Sequence, residues 1–191
     1  MTQQSTKRVG IWILALTLFM AHLLFRSVAH ADEGRLATTP WKTVYAKGGE
    51  CMISFPTAPQ LVEQALNLPE GQTLFYDVYL APFENKGVFL FLVASYPSAL
   101  APGHENVGVE GLLKGIVGHR PDNQLIFSEP VQIEGHSGTT FLVQSKTHYF
   151  RGQALMLGNK LFLIAMEGKK EFAVENLFLQ FAKSFRLPPE K

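Results

Sequence analysis

The stretch Val88-Phe89-Leu90-Phe91-Leu92-Val93-Ala94 is apolar at every position. Successive side chains of a β-strand point to opposite faces of the sheet, so a strand with one solvent-exposed face alternates between apolar and polar residues. This stretch does not alternate, which predicts a strand that is covered on both faces. Such a strand needs a layer of structure on each side or a tightly closed sheet.

The residues before this strand predict two short strands and a hairpin. The short strands cover residues 41–45 and 51–55. The hairpin has strands at residues 61–68 and 73–81. A turn at residues 84–87 then leads into the apolar strand. One face of the second hairpin strand is formed by Leu74, Tyr76, Val78 and Leu80.

A helix is predicted after the long connection at residues 97–106. Asn106 is the expected N-cap, and Gly118 with Pro121 marks the expected end. Apolar residues recur at helical spacing and form one face, consisting of Val109, Leu112, Leu113, Ile116 and Val117.

A stripe of glycines lies beside the apolar face of this helix and includes Gly118. Glycine destabilises a helix by up to about 1 kcal/mol per position, so the stripe needs a compensating role. That role is either close packing against a strand or loop, or a surface offered to a ligand or partner. The second alternative gives a candidate partner surface, formed by His104, Glu105, Gly108, Gly111, Gly115 and His119.

The remaining chain predicts a β-meander and a final helix. A turn is expected at residues 135–138, followed by a strand at residues 139–150. Residues 151–157 and 160–167 flank Gly158-Asn159, which is typical of a two-residue hairpin turn. Residues 171–185 predict an amphipathic helix. The first strand of the meander is expected to carry on one side Leu125, Phe127, Val131 and Ile133.

The sequence contains no motif that specifies a reaction. Gly135-His136-Ser137-Gly138 differs in spacing from the G-x-S-x-G turn of hydrolases and has strands on both sides. His119 and Asp122 are separated by Pro121, so they lack the fixed helical face on which a metal pair lies. We therefore predict no catalytic residue, no cofactor and no metal ligand.

Three further side chains with potential chemistry have simpler interpretations. His148 is expected to share the solvent face of the sheet with Gln144 and Lys146, and a solvated position is also the expectation for Arg151. Cys51 has apolar neighbours, which predicts a buried strand position with an inert thiol.

The first 31 residues predict an export signal. Lys7 and Arg8 form a positive region, residues 9–25 are almost wholly apolar, and Ala29 and Ala31 give the small-residue pattern of a cleavage site. We expect cleavage after Ala31 and a periplasmic or secreted protein. The alternative is an uncleaved helix that anchors the chain in the membrane, because the apolar region is close to the roughly 20 residues that span a bilayer.

The part after the signal predicts one domain. Residues 32–40 are expected to form a flexible lead-in and residues 41–187 a single α+β domain. The predicted signal contains three of the 17 basic residues and none of the 16 acidic ones, which leaves a net charge of −2 and excludes nucleic acid as a partner. The single cysteine excludes an intramolecular disulfide.

Several segments resemble the Mog1/PsbP-like family of small α/β/α sandwich domains. Residues 48–59 are similar to the opening pattern GG-x-F-x-V-x-x-P-x-x-P of exported bacterial members, with Cys51 where an aromatic residue is usual. The similarity continues at residues 94–97 and 151–167 and ends at residues 181–187, which resemble the closing pattern F-x-x-S-F-x-L. The resemblance implies an antiparallel sheet with helices on both faces. It also implies that the protein binds other proteins or supports assemblies and has no enzyme activity.

Three functional hypotheses follow. The first is an exported, non-enzymatic domain that binds a protein or another component of the cell envelope or supports an assembly. The second is a carrier of an apolar small molecule or lipid, because the chain has 15 phenylalanines, of which only Phe19 and Phe25 lie in the signal. The third is a hydrolase that uses His104, His119 or His136. The membrane is an expected partner only if the signal stays uncleaved.

Overall fold

The computed structural model describes residues 40–67, 72–84, 86–97, 105–173 and 175–188. The predicted signal and residues 32–39 of the lead-in lie outside these residues, as does His104. Among the described residues, neither helix combines the length and the apolarity that crossing a bilayer requires.

The described part of the chain is mostly antiparallel β-sheet. Its elements follow the order β1 Lys42–Tyr45, β2 Met52–Phe55, β3 Gln60–Asn67, β4 Thr73–Phe83, β5 Gly87–Ser95, α1 Glu105–Gly118, β6 Gln124–Ile133, β7 His136–Gln144, β8 His148–Leu157, β9 Lys160–Lys169, a 3-10 turn Lys170–Phe172 and α2 Glu175–Lys183. Strands β1 and β2 form a two-stranded ribbon, and the others form one seven-stranded sheet in the order β3-β4-β5-β9-β8-β7-β6. All neighbours in both sheets run antiparallel.

The predicted apolar strand is confirmed as β5, which is buried from Gly87 to Ala94. It pairs with β4 on one side and β9 on the other. Its alternate residues enter two separate clusters of buried side chains. The first cluster receives Leu90 and Leu92, whereas the second receives Phe89 and Phe91. The absence of alternation in the sequence therefore reflects burial of both faces.

Helix α1 and helix α2 contribute to different clusters. The first cluster contains the buried face of α1 and the predicted apolar face of β4, with Val109, Leu112, Leu113, Ile116, Leu74, Tyr76, Val78 and Leu80. The second contains α2 and the ribbon, with Phe178, Phe181, Ala182, Cys51, Ile53 and Phe55. The predicted apolar faces of α1 and β4 are thus confirmed.

Both helices differ from their predicted bounds. Helix α1 already includes Glu105, so Asn106 lies within the helix and the prediction that it caps the helix is wrong. At the other end, Nδ2 of Asn123 donates to the Ile116 carbonyl at 2.8 Å, which satisfies a carbonyl of the last turn. The final helix begins at Glu175 and not at residue 171, because a 3-10 turn precedes it.

The predicted strand at residues 139–150 is interrupted. Strand β7 ends at Gln144 and β8 begins at His148, because the Ser145 hydroxyl accepts hydrogen bonds from the backbone N–H groups of His148 at 3.0 Å and of Thr147 at 3.4 Å. These bonds hold a tight turn, so Gln144, Lys146 and His148 do not share the face of one strand.

Strand β6 contains a bulge that the sequence pattern does not reveal. Leu125 pairs with Val143 and Phe127 pairs with Leu142, so Ile126 is an additional residue. The prediction that Leu125 and Phe127 share a side is therefore wrong. The strand also contains Pro130, which has no N–H to donate. Bulge and proline both lie in a strand that forms one edge of the sheet.

The turn before β7 covers residues 133–136 and therefore lies two residues earlier than the predicted turn at residues 135–138. Glu134 and Gly135 have φ angles of 50° and 82° and connect Ile133 to its pairing partner His136. Gly138 already belongs to β7, where a Cβ atom would lie 2.8 Å from the Ala154 carbonyl oxygen. The His136-Ser137-Gly138 segment is therefore strand, which agrees with its failure to match a hydrolase turn.

Candidate functional site

A groove of about 650 Å³ crosses one end of the sheet. Two rows of residues form its floor, each row aligned across neighbouring strands. The first row consists of Ala65, Phe75, Ser95 and Lys160, and the second of Glu63, Asp77 and Val93. The connection between β1 and β2 forms a wall through Lys47, Gly48 and Glu50.

The groove begins at the border of the sheet surface that α2 and the ribbon pack against. The next row along the strands contains Tyr79 and Phe91, which are paired across β4 and β5 and are buried. The Tyr79 hydroxyl accepts a hydrogen bond from the Lys47 N–H at 2.8 Å. Phe75 lies two residues before Asp77 on the same face of β4, and 59% of it is exposed. Most of the floor is thus sheet surface that α2 and the ribbon leave exposed, whereas Val93 at its border is buried with the second cluster.

Glycines shape the wall. Gly48 and Gly49 have φ angles of 95° and 71°, which glycine adopts at little cost. The Gly49 N–H donates to the Ala46 carbonyl at 2.8 Å, and the Ala46 N–H donates to the Cys51 carbonyl at 2.9 Å. A Cβ atom on Gly48 would lie 2.9 Å from Oε2 of Glu50. The Gly48-Gly49 pair therefore lets Lys47 and Glu50 both face the groove.

Five charged side chains line the groove. Lys47 forms an ion pair with Glu63, and Lys160 lies 2.5 Å from Glu50. The fifth is Asp77, which is half-buried between these two pairs. Burial raises the pKa of Asp77 above its ordinary value, Glu63 raises it further, and Lys47 lowers it. The lining therefore has one more carboxylate than it has amines.

A second, much smaller cavity lies at the end of α1. Its volume is about 20 Å³, which is room for one water molecule. Glu167 lines it and is 8% exposed. One carboxylate oxygen of Glu167 lies 3.4 Å from Nη2 of Arg120, and the other has no hydrogen-bond partner among the described residues. Burial raises the pKa of Glu167 to about 7, and Arg120 lowers it by less.

Arg151 is not on a solvent face, so this prediction is wrong. The residue is 7% exposed and pairs with Leu142 and Met166 on the face of the second cluster. Its guanidinium lies over the rings of Phe127 and Phe178, with 4.9 and 4.4 Å to the centroids. A buried cation needs such partners, and the spacing of residues along β8 does not reveal them.

The predicted partner surface lies elsewhere. Gly108 and Gly111 are half-buried and Gly115 is buried on α1, which packs against β7 and β8. His119 lines the small cavity. The side chain of Glu105 and all of His104 lie outside the described residues. This helix belongs to the first cluster, so the structure does not bring these residues to the groove, and the partner surface stays a prediction.

Two further predictions concern the Cys51 thiol and metal binding. Cys51 is buried as predicted, and burial raises the pKa of its thiol to about 12, which keeps it protonated. Among the residues that the structure describes, no cluster of three or more metal-ligating side chains occurs.

The groove residues form no motif in the sequence. One signal was available, because Phe75 and Asp77 alternate with the apolar face of Leu74 and Tyr76. A single exposed ring is common on protein surfaces, so this signal alone does not identify a binding surface.

The comparisons support the fold. No family model matches the chain, and no curated protein matches it. The chain is similar to the solution structure of cyanobacterial PsbP (CyanoP) from Synechocystis sp. PCC 6803, with a TM-score of 0.56, 15% identity and coverage of 83% of this chain and 98% of that chain. A crystal structure of a protein from Bacteroides thetaiotaomicron VPI-5482 gives a TM-score of 0.42 at 16% identity, covering 78% of this chain and 49% of that chain. The described chain therefore has a PsbP-like fold, in agreement with the resemblance in its sequence.

Proposed function

We propose that this protein is an exported, non-enzymatic binding domain whose groove holds a segment of a partner protein. The supporting observation is the groove itself. Its volume of about 650 Å³ lies in the range of roughly 300–1,000 Å³ that is typical of ligand sites. Its floor offers an exposed aromatic ring, and five charged side chains line the same groove.

The domain would be an α/β/α sandwich, with α1 on one face of the sheet and α2 on the other. Membership of the two helices in different buried clusters supports this architecture. One face would then be largely occupied by α1. On the other face, α2 and the ribbon would leave most of the floor of the groove uncovered.

The predicted signal gives the compartment. Cleavage after Ala31 would release the domain to the periplasm or the exterior, and an uncleaved helix at residues 9–25 would anchor it to the membrane. In either case the partner belongs to the cell envelope or lies beyond it.

The groove favours a bound protein segment over an apolar ligand or the substrate of a hydrolase. Five charged side chains in its lining oppose an apolar small molecule or lipid, because each would lose hydration against such a ligand. For a hydrolase, the cavity beside His119 has room for one water molecule and none for a substrate. An extended peptide suits a groove that offers both ion pairs and an aromatic ring.

Site-specific photocrosslinking in the native host tests this proposal. A benzophenone amino acid replaces Phe75 in the groove, and the control carries it at Ile126, which is 50% exposed on β6. We expect one envelope protein to be crosslinked at position 75 and not at position 126. The purified partner should then bind the unmodified chain and should lose at least about tenfold in affinity for Phe75→Ala.

Two results would contradict the proposal. One is equal crosslinking at positions 75 and 126, which indicates random collisions. The other is a partner whose affinity is the same for the unmodified chain and for Phe75→Ala.

A further inference from the structure

Building on the proposed function, we infer that the groove selects an arginine side chain of the partner segment and holds it between the ring of Phe75 and the carboxylate of Asp77.

The positions of these two residues suit a planar cation. They are two apart on β4 and therefore point to the same face, roughly 7 Å apart along the strand. The ring is mostly exposed. A guanidinium binds the face of an aromatic ring within about 6 Å of its centroid, so one side chain can contact both groups.

Charge complementarity favours a cation over an anion. Glu50 and Glu63 are neutralised by Lys160 and Lys47. No described side chain donates a hydrogen bond to Asp77, which lies half-buried on the floor between these pairs. A positive group from the partner would pair with Asp77, the third carboxylate of a groove that has two amines. An anionic group would instead meet an excess of negative charge.

The protein already contains a guanidinium in this kind of environment. Arg151 lies over two aromatic rings and donates hydrogen bonds to the Glu175 carboxylate. Arginine suits such places better than lysine, because its guanidinium is planar, weakly hydrated and able to stack while it donates in its plane. Phe75 and Asp77 offer the same two kinds of group, an aromatic ring and a carboxylate, in the lining of the groove.

The groove also sets the length of the segment. Its first floor row spans four strands, from Ala65 to Lys160, which is about 14 Å at the usual spacing between strands. Four extended residues cover that distance at about 3.5 Å each. The partner segment would therefore place one arginine near the centre of a stretch of about four residues.

A peptide titration of the full exported chain tests the inference. The probes are acetyl-Ala-Val-Arg-Val-Ala-amide and the same peptide with citrulline, which keeps the shape of arginine without its charge. Backbone NMR shifts report the site and the affinity. We expect the arginine peptide to shift the resonances of Phe75, Asp77 and Val93, and the citrulline peptide to bind at least about tenfold more weakly.

Two variants sharpen the test. Asp77→Asn should reduce the affinity for the arginine peptide about tenfold and leave the affinity for the citrulline peptide unchanged. Glu129→Gln makes the same charge change on exposed β6 and should leave both affinities unchanged. Equal melting temperatures of the variants show that folding is intact.

The outcomes separate this inference from the proposed function. Equal affinity for both peptides, with shifts in the groove, overturns the arginine inference and leaves the binding groove in place. An absence of groove shifts overturns it as well, and crosslinking at position 75 then decides whether the proposed function stands.

Discussion

Nη2 of Arg151 lies 3.0 Å from Oε1 of Glu175. This ion pair joins β8 to the first turn of α2. The same guanidinium donates to the Phe141 carbonyl at 2.9 Å and to the Thr140 hydroxyl at 2.6 Å. Arg151 is buried, whereas the Glu175 side chain is 57% exposed. The two partners should therefore respond differently to substitution.

Arg151→Ala should lower the free energy of unfolding by about 3 kcal/mol, because it removes packing between two rings and leaves buried acceptors unsatisfied. Glu175→Gln should cost about 1 kcal/mol, since water reaches its carboxylate. Urea unfolding measures both. Arg151→Lys should not restore the stability, because lysine lacks the planar fork, and full restoration would contradict this account.

Glu167→Gln should remove a pH dependence of stability. Burial raises the pKa of Glu167 from 4.5 to about 7 in the folded chain. Below pH 4.5 Glu167 is protonated in both the folded and the unfolded state. Between pH 4.5 and about 7 it keeps its proton only in the folded state. Stability should therefore fall by roughly 3 kcal/mol as the pH rises through this window. The control Glu129→Gln should keep the fall, and an unchanged profile in Glu167→Gln would show that Glu167 is not its source.

The Cys51 thiol should be unreactive until the protein unfolds. Burial raises its pKa to about 12, and only the thiolate is nucleophilic. A thiol reagent at neutral pH should label the chain at a rate that follows the unfolded fraction when urea is added. Fast labelling of the folded chain would mean that the ribbon opens locally.

Gly152→Ala should destabilise the domain by about 1–3 kcal/mol. A Cβ atom at this position would lie 2.4 Å from the Phe141 ring. Phe141→Leu in the same chain should make room and reduce the additional cost of the alanine. Thermal unfolding of the two single variants and the double variant measures this coupling, and additive effects would rule out the contact as the cause.

The exported form should begin at Asp32. N-terminal sequencing of the protein from the native host checks this, because cleavage after Ala31 leaves that residue first. Recovery of the intact chain in the membrane fraction would instead support the anchored alternative.

Local sequence patterns predicted the elements whose type and buried face are determined by their own residues. The apolar run of β5, the alternation in β4 and the helical spacing in α1 each describe burial on a known face, and the structure confirms them. The fold resemblance followed from segments at both ends of the domain.

Features that depend on a neighbouring strand were not predictable. The bulge at Ile126 exists only relative to β7, and the turn at Ser145 results from one hydroxyl that accepts two backbone bonds. The environment of Arg151 comes from β6, β7 and α2 together. The groove likewise requires four strands in register beneath a distant loop, so no single segment of sequence encodes it.

The bulge and the proline of β6 have a consequence for assembly. Among the described strands, the sheet ends at β6 on one side and at β3 on the other. Strand β3 contains neither a bulge nor a proline. Strand addition between copies would need two receptive edges to continue without limit. A chain with only one such edge can pair β3 with β3 and then stops at two copies. The bulge and the proline of β6 thus limit extension of the sheet at this edge, whichever compartment the protein folds in.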